Sequence, residues 1–568
     1  MSIDPITLEV IRNRLDSIAE EMEISLLKSA YSSIIKEGLD ASSALFTPEG
    51  ECIAQATAIP VHLGTLIPAV RQILAVYPPA EMQDGDIYIM NDPYGGGTHL
   101  PDIVLVTPIL FQGEVIALGC TMAHHQEMGG KTPGSVPTDA TEIYQEGLII
   151  PPLPFYRAGK PEESLHRLLR KNVRIPEVVF GDLRAQMAAG QVAKRRIISL
   201  LNDYGVPLLR EAMAELLDRA EAMTRAKLAA IPDGTYSFFD YLDNDGIDLD
   251  RRIKIQATIT IQGSDFHVDF RGTSPQVRGP LNAVPSAAYS CVYYVVRAIT
   301  DPEIPNNSGC YRPITISIPE GCLLNPRHPA PVNARTATMK RTVDVLLGAL
   351  VRALPEKIPA AASGQLLVMS LGGIDPRTNR SYVTSELGAG GMGARSDRDG
   401  VDVVETDVTN CMNIPVEAIE LDYPLRILRY RLWQDSGGAG KYRGGLGFEK
   451  IFQAVRGSVT ISYRGERFFT QPWGLWGGLA APCSQAKIRR QTGEEETIPS
   501  KRVFTLQEGE ELHVFVSGGG GYGDPLTRDP HLVWQDVLDG KVSLLRARED
   551  YGVVIQPETL VLDQDATQ

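Results

Sequence analysis

The 568-residue chain is poor in the features that define several large functional classes. Its seven cysteines, at positions 52, 120, 291, 310, 322, 411 and 483, come no closer than twelve residues apart. No CxxC knuckle for structural zinc or thiol exchange is therefore present. An odd, dispersed set suits a reducing cytoplasm, with the thiols buried as small hydrophobes. No run approaches 18 uninterrupted apolar residues, and the first residues lack the basic-then-apolar layout of a signal peptide, so a cytoplasmic protein without a membrane span is expected. Basic residues are outnumbered, 55 Lys and Arg against 70 Asp and Glu. The net charge of −15 argues against nucleic acid and acidic membranes as partners. The short run Lys194-Arg195-Arg196 reads as a solvated helix face.

Motifs for nucleotides and common hydrolases are missing as well. Gly440-Lys441 ends like a phosphate loop, but Asp435 stands where its first glycine belongs and Tyr442 replaces the magnesium-binding hydroxyl. Neither HExxH nor G-x-S-x-G occurs. The chain has no recognised means of binding ATP.

What is present is enough apolar sequence, 43%, for about three structural units. Asp4 and Pro5 are placed to cap and open a long helix, with Leu8, Ile11, Leu15, Ile18, Met22 and Leu26 on one stripe. Asp40–Phe46 reads as a strand entering a hairpin. The strongest β signal is Ile103–Leu110 and Val115–Thr121, joined across Gln112-Gly113. Residues 178–229 read as helix, 231–272 as β-rich with alternation over Lys254–Gln262, and 284–299 and 338–353 as helices. From 379 to 525, glycine-rich loops separate short strands; 484–502 reads as an exposed hairpin or loop; Asp529-Pro530 opens a short helix that Gly540 closes.

The fold class expected is α+β and multi-domain, with a mixed α/β N-terminal half bearing a metal-holding β-hairpin and a β-rich, glycine-loop C-terminal part. The expected units are 1–230 with the metal site, 231–378 as a central sheet plus helices, 379–525 as the glycine-loop part, and 526–568 as a helical tail.

Only nine histidines occur, and three of them, His99, His124 and His125, fall within 27 residues. With Gln112-Gly113 as the turn, opposed residues sum to 225, which sets His124 across from Pro101 and places His99 two residues further along the same strand face. Diagonal neighbours at roughly 7–8 Å can share an ion. Asp102 points to the opposite face under strict alternation, unless Pro101 or a bulge turns it inward. Two imidazoles and a carboxylate with open positions suit zinc, manganese or iron, which would acidify bound water or polarise a carbonyl. Asp40 is a candidate fourth ligand or general base, and Glu127 and His125 are further candidate catalytic groups. The glycines of Asn91-Asp-Pro-Tyr-Gly-Gly-Gly-Thr-His99 and Met128-Gly-Gly130 offer N–H groups to an anion, and the clusters Asp435–Gly445 and Ser517–Pro525 read as tight turns between strands or, alternatively, as substrate-lining or subunit-facing loops.

Taken together, Asp40-Ala-Ser-Ser, Asn91-Asp-Pro-Tyr through His99-Leu-Pro-Asp102, Ala123-His-His-Gln-Glu-Met-Gly-Gly130, Tyr144-Gln-Glu-Gly-Leu148, Gly181-Asp-Leu-Arg-Ala-Gln186, Pro305-Asn-Asn-Ser-Gly309, Gly391-Met-Gly-Ala394, the Asp435–Gly445 and Gly518–Pro525 clusters, and Tyr551-Gly-Val-Val554 resemble the hydantoinase B/oxoprolinase family. The resemblance covers essentially the whole chain. It implies a B-type, hydrolytic subunit acting on a cyclic amide such as a hydantoin, 5-oxoproline or a lactam. Its partner would be a hydantoinase A-like subunit that binds ATP and magnesium, in a hetero-oligomer such as A2B2. The related acetone and acetophenone carboxylases are the alternative, and a non-catalytic scaffold is a third possibility. His99, Asp102 and His124 match the family's metal positions. Gln126-Glu127 departs from the family pattern, which has a small residue followed by aspartate.

Overall fold

The computed structural model describes residues 3–567. Its first helix, Pro5–Ser29, begins as the sequence dictates: the Asp4 carboxylate accepts the Thr7 N–H at 2.9 Å, and Pro5 fills the first position, where no N–H is needed. The chain then builds a seven-stranded sheet from β1 (Ala41–Phe46), β2 (Cys52–Gln55), β3 (Ile87–Met90), β4 (Asp102–Phe111), β5 (Glu114–His124), β6 (Leu153–Arg157) and β7 (Lys160–Pro161). Their spatial order is β2-β1-β5-β4-β3-β6-β7, with each pair antiparallel.

Both faces of this sheet are covered, which is why β4 and β5 read as continuous apolar runs. On one face lies the helix Pro60–Val76, whose Leu63, Leu66, Ile67 and Val70 pack on Val104, Val106, Cys120 and Met122. On the other, the first helix and the helix Pro176–Leu228 pack on Ala41, Leu45, Ile109 and Ala123. The second of these breaks at Gly205 (φ 76°, ψ 162°), two residues before Pro207.

A second, four-stranded sheet is formed by β8 (Gly234–Leu242), β9 (Ile253–Gln262), β10 (Asp265–Asp269) and β11 (Ile314–Ser317). The alternation in β9 is real: Ile253, Ile255, Ala257, Ile259 and Ile261 are buried against the helices Pro285–Ile299 and Arg335–Leu350, and the residues between them are not. Two further sheets share one core. One holds Leu366–Asp375, Arg380–Ala389, Val459–Arg464 and Lys501–Leu506; the other holds five strands, among them Phe448–Ala454 and Glu511–Phe515. The segment expected to be exposed at 484–502 does form a hairpin, but Ala486 and Ile488 are buried in that core and Lys501 joins the neighbouring sheet. Two short helices, Pro530–Leu538 and Leu544–Tyr551, follow.

The α+β, multi-sheet reading therefore holds. No described helix is long and apolar enough to cross a membrane. All seven cysteines are free thiols.

Candidate metal centre

The hairpin β4–β5 does not keep the register expected from its turn. Phe111 opposes Glu114 and Leu110 opposes Val115, summing to 225, but from Ile109–Ala117 onward the sums are 226. Ile116 is the extra residue, and it packs into the same core as Ala117. This β-bulge moves every later pair by one, and a one-residue slip exchanges the faces of the strand. His124 consequently faces Asp102, not Pro101. The bulge at Ile116, eight residues before His124, puts Asp102 on the same face as His124.

The neighbouring strand extends the row. Ala41 pairs with Ala123, and the His124 N–H donates to the Asp40 carbonyl at 3.0 Å, so Asp40, His124 and Asp102 lie side by side across β1, β5 and β4. They share the sheet face covered by the Pro60–Val76 helix. His99 is not on β4. It sits in the preceding turn, where its carbonyl accepts the Asp102 N–H at 3.0 Å, and this turn folds its ring back over the carboxylate. The ligand atoms of His99, Asp102 and His124 all lie within 4.8 Å of one another, and the two ring centroids are 5.1 Å apart.

The surroundings orient these groups. His99 Nδ1 is 3.1 Å from the Asn333 carbonyl, which can only accept, so Nδ1 carries the proton and Nε2 presents a lone pair. That lone pair faces Asp102 Oδ1 at 2.9 Å. Asp102 Oδ2 takes the Thr98 hydroxyl and a guanidinium N–H of Arg335 at 2.6 Å. His62, from the first turn of the Pro60–Val76 helix, places Nε2 3.5 Å from Asp40 Oδ1 and 3.6 Å from Asp102 Oδ1. Its Nδ1 and that of His124 are buried without a partner.

Burial pushes the His99 imidazole down to about 4, with Arg335 adding to the effect. Burial also holds His124 well below the ordinary range, and His99 contributes. Burial alone would raise Asp102, but His99, Arg335 and His62 outweigh it and hold the carboxyl well below its usual value. Burial lifts Asp40 to about 6, opposed by His62. His62 itself is raised, because the two carboxylates, Asp102 foremost, outweigh the cost of burying its charge.

Asp40, His62, His99 and His124 line a cavity of about 30 Å³, enough room for a water molecule. Its polar walls are completed from far along the chain by Arg335, Arg464 and Cys411, and its apolar walls by Ile34 and Val61 close by and by Leu387 from the C-terminal half.

Three of the candidate groups lie away from this cluster. His125 follows His124, and the pleat sends its ring to the opposite sheet face, where Nε2 meets Gln186 Oε1 at 3.0 Å. Glu127 lies beyond the strand and organises a loop, accepting N–H groups of Gly129 and Gly134 and pairing with Arg174 at 2.8 Å. The glycines at 95–97 keep their N–H groups inside their own turn, bonded to Asp92 and Pro93 carbonyls. Gly96 (φ 107°) lets the loop pass under the Pro68 carbonyl, 2.9 Å from where a Cβ would sit. Asp40 lines the cavity but faces His62 instead of completing the three-residue cluster.

His62, Arg335, Arg464 and Asn333 were not legible as site residues. Only His62 carried a local signal: Pro60 at a helix start, followed by Leu63, Leu66, Ile67, Val70 and Ile73 at helical spacing.

The family model for hydantoinase B/oxoprolinase matches residues 4–525. The chain belongs to this family. The β subunit of caprolactamase from Pseudomonas jessenii is 36% identical over all of this chain and 98% of its own length. A crystal structure of ATP-dependent caprolactamase from that organism superposes with a TM-score of 0.92 at 33% identity, over 100% of this chain and 99% of the other. A protein named as the B-type subunit of a D-/L-hydantoinase, from a Pseudomonas strain, is 35% identical over 97% of this chain and 95% of its own. An acetone carboxylase structure shares the fold, with a TM-score of 0.93 at 21% identity over all of this chain and 82% of that one. This family member thus has its row of inward-facing polar groups on a scaffold common to proteins of both names.

Proposed function

We propose that this chain is the metal-holding, hydrolytic B-type subunit of an ATP-dependent cyclic-amide hydrolase, working beside an A-type subunit that uses ATP to phosphorylate the amide oxygen. The observation that carries the reading is the pair of acceptors at the site. A lone pair of His99 faces a carboxylate oxygen at 2.9 Å in a buried cavity, an arrangement that a cation between them relieves. His99, Asp102 and His124 would hold a zinc, manganese or iron ion, with Asp40 the nearest further carboxylate. Such an ion supplies Lewis acidity toward an oxygen and acidifies water.

The chain's own residues do the rest. Asn333 fixes the His99 tautomer and Arg335 anchors one oxygen of Asp102, leaving the other for the site. Asp40 and His62 are in place to accept and hold the proton of an attacking water. Arg335 and Arg464 face the same cavity and offset the charge of a phosphorylated oxygen. Phosphorylation removes the resonance that protects a lactam. Water then adds to the activated carbon, the ring nitrogen leaves as the amine, and a second water releases phosphate.

The test is reconstitution with the A-type partner against a panel of hydantoins and lactams, following ADP and ring-opened amino acid together. His124→Ala is expected to lower ring opening at least about 100-fold while the partner still binds nucleotide. Full turnover by metal-stripped His124→Ala sinks the reading. Sequence identity of 35–36% to proteins named as hydrolase subunits favours hydrolysis over carboxylation. Labelled bicarbonate appearing in the product would reverse that choice.

A further inference from the structure

Next to the small cavity lies a much larger one, of about 490 Å³, within the range of small-molecule sites. The two share a wall, since Thr409 lines both, and its hydroxyl bonds Glu405, which faces the larger space. The segment that forms this wall is pinned on both sides: the Val61 N–H donates to the Val408 carbonyl at 2.8 Å and the Lys340 ammonium to the Thr406 carbonyl at 2.6 Å.

Three carboxylates line the larger cavity, and two of them are matched. Asp344 is held by Arg467 at 2.7 Å and Glu405 by Lys340 at 2.6 Å. Asp407 is 8% exposed. Among the described residues it accepts only the Thr406 hydroxyl, at 3.0 Å, and no cation reaches ion-pair distance, although the Lys340 charge acts on it from further off. The cations lining the same space are elsewhere engaged and more open: Lys357 is exposed and donates to the Ile299 carbonyl, and Arg395 is half-buried with Asp397 3.8 Å away. A buried carboxylate with spare lone pairs facing a cavity is a receptor for N–H donors.

We infer that this cavity seats the substrate ring and that Asp407 recognises its N–H groups, so the chain takes neutral cyclic ureides and lactams and rejects 5-oxoproline. The inference rests on the hydrolase reading above and narrows its substrate class. Thr409, two residues on from Asp407, lines both cavities and so stands in the wall between a ring on Asp407 and the small cavity. In 5-oxoproline the carboxylate is on the carbon bonded to the ring nitrogen, so an N–H placed on Asp407 would bring two carboxylates together. Like charges at such range in a buried site are strongly disfavoured.

The experiment is calorimetric titration of the full chain with hydantoin, 1,3-dimethylhydantoin and 5-oxoproline, in the wild type and in Asp407→Asn. Asp407 has φ 65°, a conformation asparagine tolerates well, so the variant keeps the backbone. The wild type is expected to bind hydantoin at least tenfold more tightly than either other ring. Asp407→Asn should weaken hydantoin about tenfold and narrow its margin over 5-oxoproline. Equal binding of hydantoin and its dimethyl derivative by the wild type overturns the inference, as does unchanged discrimination in the variant or no ring bound at all. The methylation comparison needs no variant, and none of these titrations needs the ATP-using partner. Failure of the reconstituted pair to open any ring would count against the hydrolase reading, whereas failure of N–H discrimination counts against this one.

Discussion

Asp102 has the Thr98 hydroxyl, two imidazoles and a guanidinium around one carboxylate, and burial without them would be prohibitive. Glu23 shows what the absence of such partners does. It is 4% exposed on the inner face of the first helix, its Oε2 has no partner, and burial pushes its carboxyl up to about 7. The folded value lies above the unfolded one. Its contribution to stability is therefore full below about pH 4.5 and is lost as the pH rises through about 7. Glu23→Gln is expected to stabilise the fold at pH 8 by on the order of 2–3 kcal/mol, raising the melting temperature, and to change little at pH 5. Thermal scans of both proteins at the two pH values read this; a gain at pH 5 equal to that at pH 8 would contradict it. At this scale the sequence was informative where a scarce residue type clustered, as with His99 and His124. It was silent on Arg335 and Arg464, because arginine is common and these reach the site from more than 200 residues away.

At the scale of elements, two features decide the structure without advertising themselves. Ile116 is an ordinary β-branched residue in an ordinary strand, so nothing local marks it as the bulge that turns Asp102 inward. The expectation from the turn was off by one residue for that reason alone. The glycine clusters are the second case. They are more than turns: Gly438 donates to the Gly519 carbonyl, Gly519 to Gly445, Gly520 to Ala361 and Gly521 to Leu479, so backbone packs directly on backbone. A Cβ at Gly444 would stand 1.9 Å from the Gly519 carbonyl oxygen. Gly444→Ala should cost more than about 3 kcal/mol or abolish soluble expression, since neither side of that contact is a side chain that can swing away. Chemical denaturation measures it, and a near-neutral variant would show that these segments are not close-packed. The bundle also bears on the site, because Met392 and Gly393 within it line the larger cavity.

For the whole molecule, the centre is a junction. The first sheet supplies His124, with Asp102 paired beside it and Asp40 just before β1, the helix Arg335–Leu350 supplies Arg335, and the strand Val459–Arg464 closes the cavity with Arg464. A buried network binds the same parts, with Arg467 reaching Asp344 at 2.7 Å and Asp240 at 3.3 Å, and Arg341 reaching Asp240 at 3.0 Å. The family, the mixed sheet-and-helix class and the hairpin that carries the site were legible because they rest on local pattern and scarce residues. The convergence of three distant segments was not, because it is a property of the packed core. An ion held at such a junction stabilises the entire fold by mass action.

The most direct test is therefore the metal content of the purified full chain, measured together with its melting temperature. The account requires close to one transition-metal ion per chain, removed by His124→Ala and by chelation, with a lower melting temperature when it is gone. A wild-type chain that holds no stoichiometric ion after supplementation with zinc, manganese and iron, and still supports full ring opening, would contradict it.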